Sequence, residues 1–235
     1  MKHTFLIKDW LSSFLSLLFP RCCVVCDRPL AKGEECICTV CNINLPRTNY
    51  HLRKDNPVER LFWGQIPLER ATSFFFYEKG SDFRLILHRL KYGGQKEIGA
   101  IMGRYMAAEL LSSNFFQGID VIIPIPLHKK KQQIRGYNQS EWIARGIAAV
   151  TGIPIDTESI LRKKNTETQT RKSVFERRDN VEGIFELQHP ETLAGKHILI
   201  VDDVLTTGST TLACASCLVD VEDIRISILT LAMVE

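Results

Sequence analysis

The sequence predicts an α/β fold built on a parallel sheet, preceded by a small cysteine module. Three observations carry that prediction. Apolar runs at Val121 to Ile125, Ile198 to Val201 and Ile224 to Leu231 are long and continuous enough for strands buried on both faces. Amphipathic stretches separate the strand candidates, and alternating strands and helices give a parallel sheet with right-handed crossovers. Six of the eight cysteines crowd between Cys22 and Cys41, a stretch too short for a core of its own.

The elements follow in order. Ile7, Trp10 or Leu11, Phe14, Leu17 and Leu18 fall on one helical face, so residues 1–20 read as an amphipathic helix ended by Pro20. The apolar run there is too short to span a bilayer and no small-residue cleavage pattern follows it. That helix is expected to pack on its own chain or on a partner, with membrane association the lesser alternative. Residues 21–50 form the cysteine module, and 51–70 a polar, proline-containing connector. The main domain covers 71–235. Ala71 to Tyr77 is an aromatic strand. Ser81 to Leu90 and Glu97 to Leu111 are helices parted by the turn Tyr92-Gly-Gly-Gln95. Val121 to Ile125 is a strand and Trp142 to Val150 a helix. Ile153 to Asp156 with Ile160 to Leu161 suggests a short strand, and Gly183 to Leu187 another. Ile198 to Val201, a helix over Thr211 to Val219, and a strand over Ile224 to Leu231 complete the chain.

Cys23-x-x-Cys26 and Cys38-x-x-Cys41 are two knuckles separated by eleven residues. Each knuckle sets two sulfurs on one side of a tight turn, and two turns close a tetrahedron around Zn²⁺. Four thiolates leave no open position, so the metal is structural. Cys22 and Cys36 are irregularly spaced extras, although Cys22 can substitute for Cys23. Clustered cysteines of this kind suit a reducing compartment, here the cytoplasm, better than a disulfide framework. Cys214 and Cys217 lie inside a helix without a second pair and read as packed apolar residues.

The strand Ile198 to Val201 runs into Asp202 and Asp203, then into Thr206-Thr207-Gly208-Ser209-Thr210 at a helix start. Open α/β sheets bind ligands at strand ends. A glycine–hydroxyl loop at a helix N-terminus cradles phosphate with backbone N–H groups and the positive helix end. Paired carboxylates accept from sugar hydroxyls or hold Mg²⁺. The ligand described is a sugar phosphate.

Charge supports an anionic ligand. Net charge is only +3, but between His128 and Arg178 twelve Lys and Arg stand against five acids. Val121-Ile-Ile-Pro-Ile-Pro-Leu-His128 leaves its strand through two prolines and continues into Lys129 to Lys131 and Arg135-Gly-Tyr-Asn-Gln139, which are suited to wrapping a pyrophosphate. The polar stretch from Asn165 to Arg178 is a candidate lid.

The segment from Ile198 to Thr210 resembles the signature of type I phosphoribosyltransferases, which bind phosphoribosyl pyrophosphate (PRPP). That resemblance implies a type I phosphoribosyltransferase fold. It places the 5-phosphate on Thr206, Thr207, Gly208, Ser209 and Thr210, and the ribose 2- and 3-hydroxyls on Asp202 and Asp203. Over the chain from Phe19 onward, the cysteine module, Leu90-Lys-Tyr92, Pro124-Ile-Pro-Leu-His128, Arg135-Gly-Tyr-Asn-Gln139 and Arg178-Asp-Asn-Val-Glu-Gly183 together resemble the ComF family. These are bacterial phosphoribosyltransferase-like proteins associated with competence and DNA uptake. Tyr137 stands where that family more usually has Phe.

The expected chemistry is Mg²⁺-assisted pentosyl transfer, a glycosyltransferase reaction of the kind found in nucleoside metabolism. His128, Lys129 and Arg135 would join the PRPP site, and Lys91 and Arg135 would act with the aspartates on the leaving pyrophosphate. No residue type names the acceptor or the oligomeric state. The rival expectation is a single-stranded-DNA-binding accessory factor working with competence proteins, with Tyr50, Phe62, Trp63 and Tyr137 as stacking candidates.

Overall fold

The computed structural model describes residues 20–163 and 183–234. The helix expected over 1–20, apart from Pro20, and the polar stretch 165–178 lie outside them.

Strands β1 (Leu68–Tyr77), β2 (Val121–Pro124), β5 (His197–Leu205) and β6 (Arg225–Val234) form one all-parallel sheet in the order β1-β6-β5-β2. The expected parallel α/β architecture is therefore present. Strands β3 (Ile160–Arg162) and β4 (Phe185–Leu187) do not join it; they pair antiparallel as a separate hairpin. The segment before them, expected as part of a strand, touches the sheet at one parallel bridge, Ile122 to Ile155.

Alternation along β5 sorts its side chains between two cores. Leu199 and Val201 join one layer with α3 (Arg84–Tyr92), α4 (Glu97–Leu110) and α6 (Gln139–Thr151). Ile198 and Ile200 join the other, with α7 (Ser209–Ser216), the β3–β4 hairpin and Phe62. The parallel sheet thus has cover on both faces, which is why its central runs are continuously apolar.

Helices α4 and α6 cross at glycines. A Cβ on Gly146 would lie 2.0 Å from the Ala100 carbonyl oxygen, and one on Gly103 would lie 2.2 Å from that of Ile143. Only bare backbones fit at that crossing.

The cysteine module shares the first core. Cys23, Val24, Cys36, Ile37 and Leu45 pack with Phe74, Phe75, Ile86 and Met102. Ion pairs Arg89–Asp27 (2.8 Å) and Arg104–Glu35 tie its rim to α3 and α4. The chain leaving the module then lies along the edge of β1: Thr48 N donates to Phe74 O (3.1 Å) and Phe76 N to Pro46 O (2.8 Å). The connector is also structured. Asn56 caps the short helix α2 (Pro57–Arg60), and its side-chain amide donates to Ala71 O at 2.9 Å.

One further helix was not expected. Lys129–Arg135, read from the sequence as a strand exit wrapping a ligand, forms α5. His128 Nδ1 accepts from Lys130 N at 3.3 Å to cap it, and Gly136 closes it at φ 80°. The small helix of the module, Thr39–Ile43, is α1.

Candidate functional site

Strand β5 carries the acidic pair past the end of its pairing with β2, which stops at Val201. Asp202 and Asp203 therefore stand at the carboxyl edge of the sheet. Alternation turns them to opposite faces. Asp203 Oδ1 receives Lys91 Nζ at 3.0 Å from the last turn of α3. Asp202 Oδ1 accepts from Ser140 Oγ at 3.0 Å and from Asp203 N at 2.8 Å. Burial, and then the charge of Asp203, push the Asp202 carboxyl up to about 7, against the pull of Lys91 and Ser140.

The hydroxyl loop follows directly. Thr206, Thr207 and Thr210 are exposed, and Thr207 Oγ1 lies 2.8 Å from Ser209 Oγ. Gly208 turns the chain into α7 at φ 75°, a conformation that disfavours any Cβ. Its backbone rests on Phe62: a Cβ there would lie 3.4 Å from the ring. The first N–H groups of α7 lack intrahelical acceptors and face the loop, as an anion cradle requires.

Two cations reach the aspartates, Lys91 by its ion pair with Asp203 and Arg162 through the charge of Asp202, and two more lie near them. Lys131 is lowered by burial and then by Arg162, Arg135 and Lys91, so these four positive groups share one neighbourhood. Arg162 feels the charge of Asp202 and lies over the Phe185 ring at 5.3 Å. Lys129 is exposed and His128 is used as a helix cap.

The sequence does not single out Ser140 or Arg162, whereas Lys131 falls in the run Lys129 to Lys131 that it marks as suited to wrapping a pyrophosphate. Arg162 shares a strand face with buried Ile160, and that two-residue period was the available signal.

The Arg135-to-Gln139 block is directed inward more than outward. Tyr137, Asn138 and Gln139 are buried. Asn138 Nδ2 donates to Ile125 O (3.0 Å), while its Oδ1 caps α6 by accepting from Ser140 N (3.2 Å). The Tyr137 hydroxyl donates to Leu90 O. Arg135 Nη1 donates to Gln139 Oε1 at 2.8 Å and stacks on Tyr92 with 5.4 Å to the ring centre.

In the cysteine module, the Sγ atoms of Cys23, Cys26, Cys38 and Cys41 all lie within 4.8 Å of one another. Cys26 and Cys38 sulfurs are 3.7 Å apart. A tetrahedron with zinc–sulfur bonds of about 2.3 Å has edges of about 3.8 Å, so this cluster could hold such an ion. Cys38 N donates to Cys23 Sγ (3.3 Å) and Cys41 N to Cys38 Sγ (3.4 Å), orienting the thiolates. Burial opposes ionisation of Cys23, yet N–H groups of Cys26, Cys38 and Val25 hold it down at about 7. Cys36 stands apart: its sulfur lies 3.9 Å from Met102 Sδ, and burial pushes its thiol up to about 12. Cys22 is exposed. Burial raises Cys214 and Cys217 as well, as expected of packed thiols.

Fold and site together define a parallel α/β protein with an acidic pair and a hydroxyl-rich loop at a strand end, joined to a four-cysteine module. Comparison with known proteins narrows this further. The chain is 32% identical over 209 residues to the DNA utilization protein YhgH of Escherichia coli O157:H7, covering 83% of this chain and 88% of that one. It is 31% identical over 130 residues to Competence protein F of Haemophilus influenzae, covering 54% and 57%. It is 26% identical over 216 residues to Competence protein ComFC of Bacillus subtilis, covering 90% and 83%. The chain belongs to the ComF family.

No family model matches it. Among solved structures, the glutamine PRPP amidotransferase of B. subtilis complexed with ADP and GMP is similar at a TM-score of 0.36 and 20% identity. That likeness covers 57% of this chain and 26% of the enzyme, and at this score it carries no argument.

Among the described residues, no helix is long and apolar enough to cross a membrane.

Proposed function

We propose that the chain binds PRPP at the carboxyl edge of β5 and acts as a phosphoribosyltransferase-like protein in DNA uptake. The observation that carries this reading is the continuity of Asp202, Asp203 and the Thr206-to-Thr210 loop, with Lys91, Lys131, Arg135 and Arg162 gathered beside them. The loop takes the 5-phosphate on backbone N–H groups and hydroxyls. The two carboxylates take the ribose hydroxyls.

Two adjacent carboxylates also fit Mg²⁺, a hard cation that prefers oxygen. Held by Asp202 and Asp203, it would supply charge neutralisation for the anionic ligand. The four cations stabilise the negative charge that gathers on the departing pyrophosphate as C1 becomes oxocarbenium-like. His128, which caps α5, and exposed Lys129 beside it would add to the same anion site. No nucleophilic side chain is needed.

The Cys23, Cys26, Cys38 and Cys41 cluster holds structural zinc in this reading.

Calorimetry with PRPP and Mg²⁺ tests the binding. Wild type should bind, and Asp202→Ala/Asp203→Ala should lose at least tenfold in affinity, about 1.4 kcal/mol. Wild type that ignores PRPP refutes the reading. Pyrophosphate release screened across amines and nucleobases then tests transfer and identifies the acceptor.

One observation favours a second activity, single-strand binding. Of Tyr50, Phe62, Trp63 and Tyr137, Phe62 and Tyr137 are buried and Tyr50 is half-buried, but Trp63 is 52% exposed with Arg60 at 5.8 Å from its ring centre. An exposed indole beside a cation is a stacking platform for bases. The relatives' names, which refer to DNA utilization and competence, agree with that use. Affinity for labelled single strands should fall with salt and should drop in Trp63→Ala. Affinity independent of salt refutes it.

A further inference from the structure

The geometry points to Tyr137 as a positioning residue that, through the backbone of Leu90, holds Lys91 against Asp203. This inference rests on the PRPP reading for its functional consequence, but its structural core stands independently.

Lys91 lies in the last turn of α3. The final carbonyls of a helix have no intrahelical donor, so a terminal turn frays unless something else engages them. Here the neighbours of Lys91 on both sides are engaged by one short stretch of chain. The Tyr137 hydroxyl donates to Leu90 O, and Arg135 stacks on the Tyr92 ring. Leu90 is fully buried and Tyr137 is 8% exposed, so water does not readily replace that hydrogen bond. Two residues after Tyr137 begins α6, whose Ser140 binds Asp202 at 3.0 Å. A single six-residue stretch, Arg135 to Ser140, therefore touches both the turn that presents Lys91 and the carboxylate beside the one Lys91 pairs with.

The consequence is specific. Lysine loses about 2 kcal/mol of rotamer freedom when it is immobilised. Fixing its backbone in advance leaves only the side chain to order when Lys91 meets a carboxylate or an anionic ligand. Removing the Tyr137 oxygen leaves the ring's packing in place but releases the turn.

The test uses the full chain and Tyr137→Phe, which keeps the ring. Protein labelled with ¹⁵N-lysine reports the order of each ammonium group by relaxation, and Lys91→Met identifies the Lys91 signal. In wild type the Lys91 ammonium should be ordered; in Tyr137→Phe it should become as mobile as the exposed lysines. An unchanged Lys91 order overturns the inference, whatever PRPP does.

The second arm is a PRPP–Mg²⁺ titration in four proteins: wild type, Tyr137→Phe, Lys91→Met and the double variant. Tyr137→Phe should weaken binding about fivefold in the wild-type background, the scale of one hydrogen bond. It should change little when Lys91 is already Met. Equal losses in both backgrounds show a general structural role and overturn the positioning claim. Wild type that binds no PRPP removes the PRPP reading alone, since the relaxation experiment decides the rest.

Discussion

Asp202 and Asp203 are adjacent in the chain but serve opposite faces of the sheet, Asp202 binding Ser140 Oγ and Asp203 binding Lys91 Nζ, each at 3.0 Å. The pair thus ties α3 and α6, which lie in one layer, to β5 where that strand runs past its pairing with β2. Two like charges on one strand end repel, and the protein separates their environments. Lys91 compensates Asp203, while the burial of Asp202 favours its protonated form.

This makes stability depend on pH. Asp202 has a folded-state value of about 7, above the ordinary carboxylate value of 3.8. Between those two values the folded chain holds a proton that the unfolded chain has released. Its contribution therefore favours folding less and less as pH rises from about 4 to 7, and the penalty is complete above that. Asp202→Asn should raise stability at pH 8 by about 1 kcal/mol or more and leave it unchanged near pH 4. Urea unfolding across that range measures it. Mg²⁺ affinity, which requires the carboxylate, should rise from pH 6 to 8 in wild type.

Gly208 is constrained twice, by its φ of 75° and by the Phe62 ring beneath it. Gly208→Ala places a Cβ in left-handed backbone, costing about 1–2 kcal/mol. The strain falls in the turn that presents the loop. Thermal melts should show the loss, and calorimetry should show PRPP affinity reduced at least tenfold.

The cysteine module has no core separate from that of the sheet, so its loss should be felt throughout. Metal analysis should find one zinc per chain, retained in Cys22→Ser and Cys36→Ala and lost in Cys38→Ser. A strong chelator, or Cys38→Ser, should destabilise the whole chain in one transition by several kcal/mol. Two separate transitions on chelation would contradict the shared packing of Ile37 with Phe74 and Ile86.

The α4–α6 crossing should be equally intolerant. Gly146→Ala sets a Cβ 2.0 Å from a backbone oxygen, which no rotamer change can relieve. The helices must separate, and destabilisation of about 3 kcal/mol or more is expected. Denaturant midpoints compared with those of Gly80→Ala, whose Cβ meets nothing within 4 Å, isolate the effect.

Much of this was legible in the residues. The strand Ile198 to Val201, the acidic pair and the loop have a sequence order that states their placement, and β5 begins at His197 and runs on to Leu205. The four knuckle cysteines converge as their spacing requires, and Cys36 is set aside by packing against Met102. Helix α5 was missed because Lys129 to Arg135 has no apolar face; its cap at His128 and its stop at Gly136 define it instead. The inward role of Tyr137 and Asn138 was also hidden. Tyr and Asn look alike in sequence whether they meet a ligand or a carbonyl, and only tertiary contact supplies Leu90 O and Ile125 O. Lys91, expected from the sequence to act on a leaving pyrophosphate, pairs with Asp203 in the structure.

Both margins of the sheet are occupied from within the chain. The segment after the cysteines bonds along β1 at Phe74 and Phe76, and Ile122 on β2 exchanges hydrogen bonds with Pro154 and Asp156. Exposed ladders are where chains add to one another and aggregate. At these positions the strands offer no vacant rungs, so neither a neighbouring sheet nor an extended peptide can zip on there.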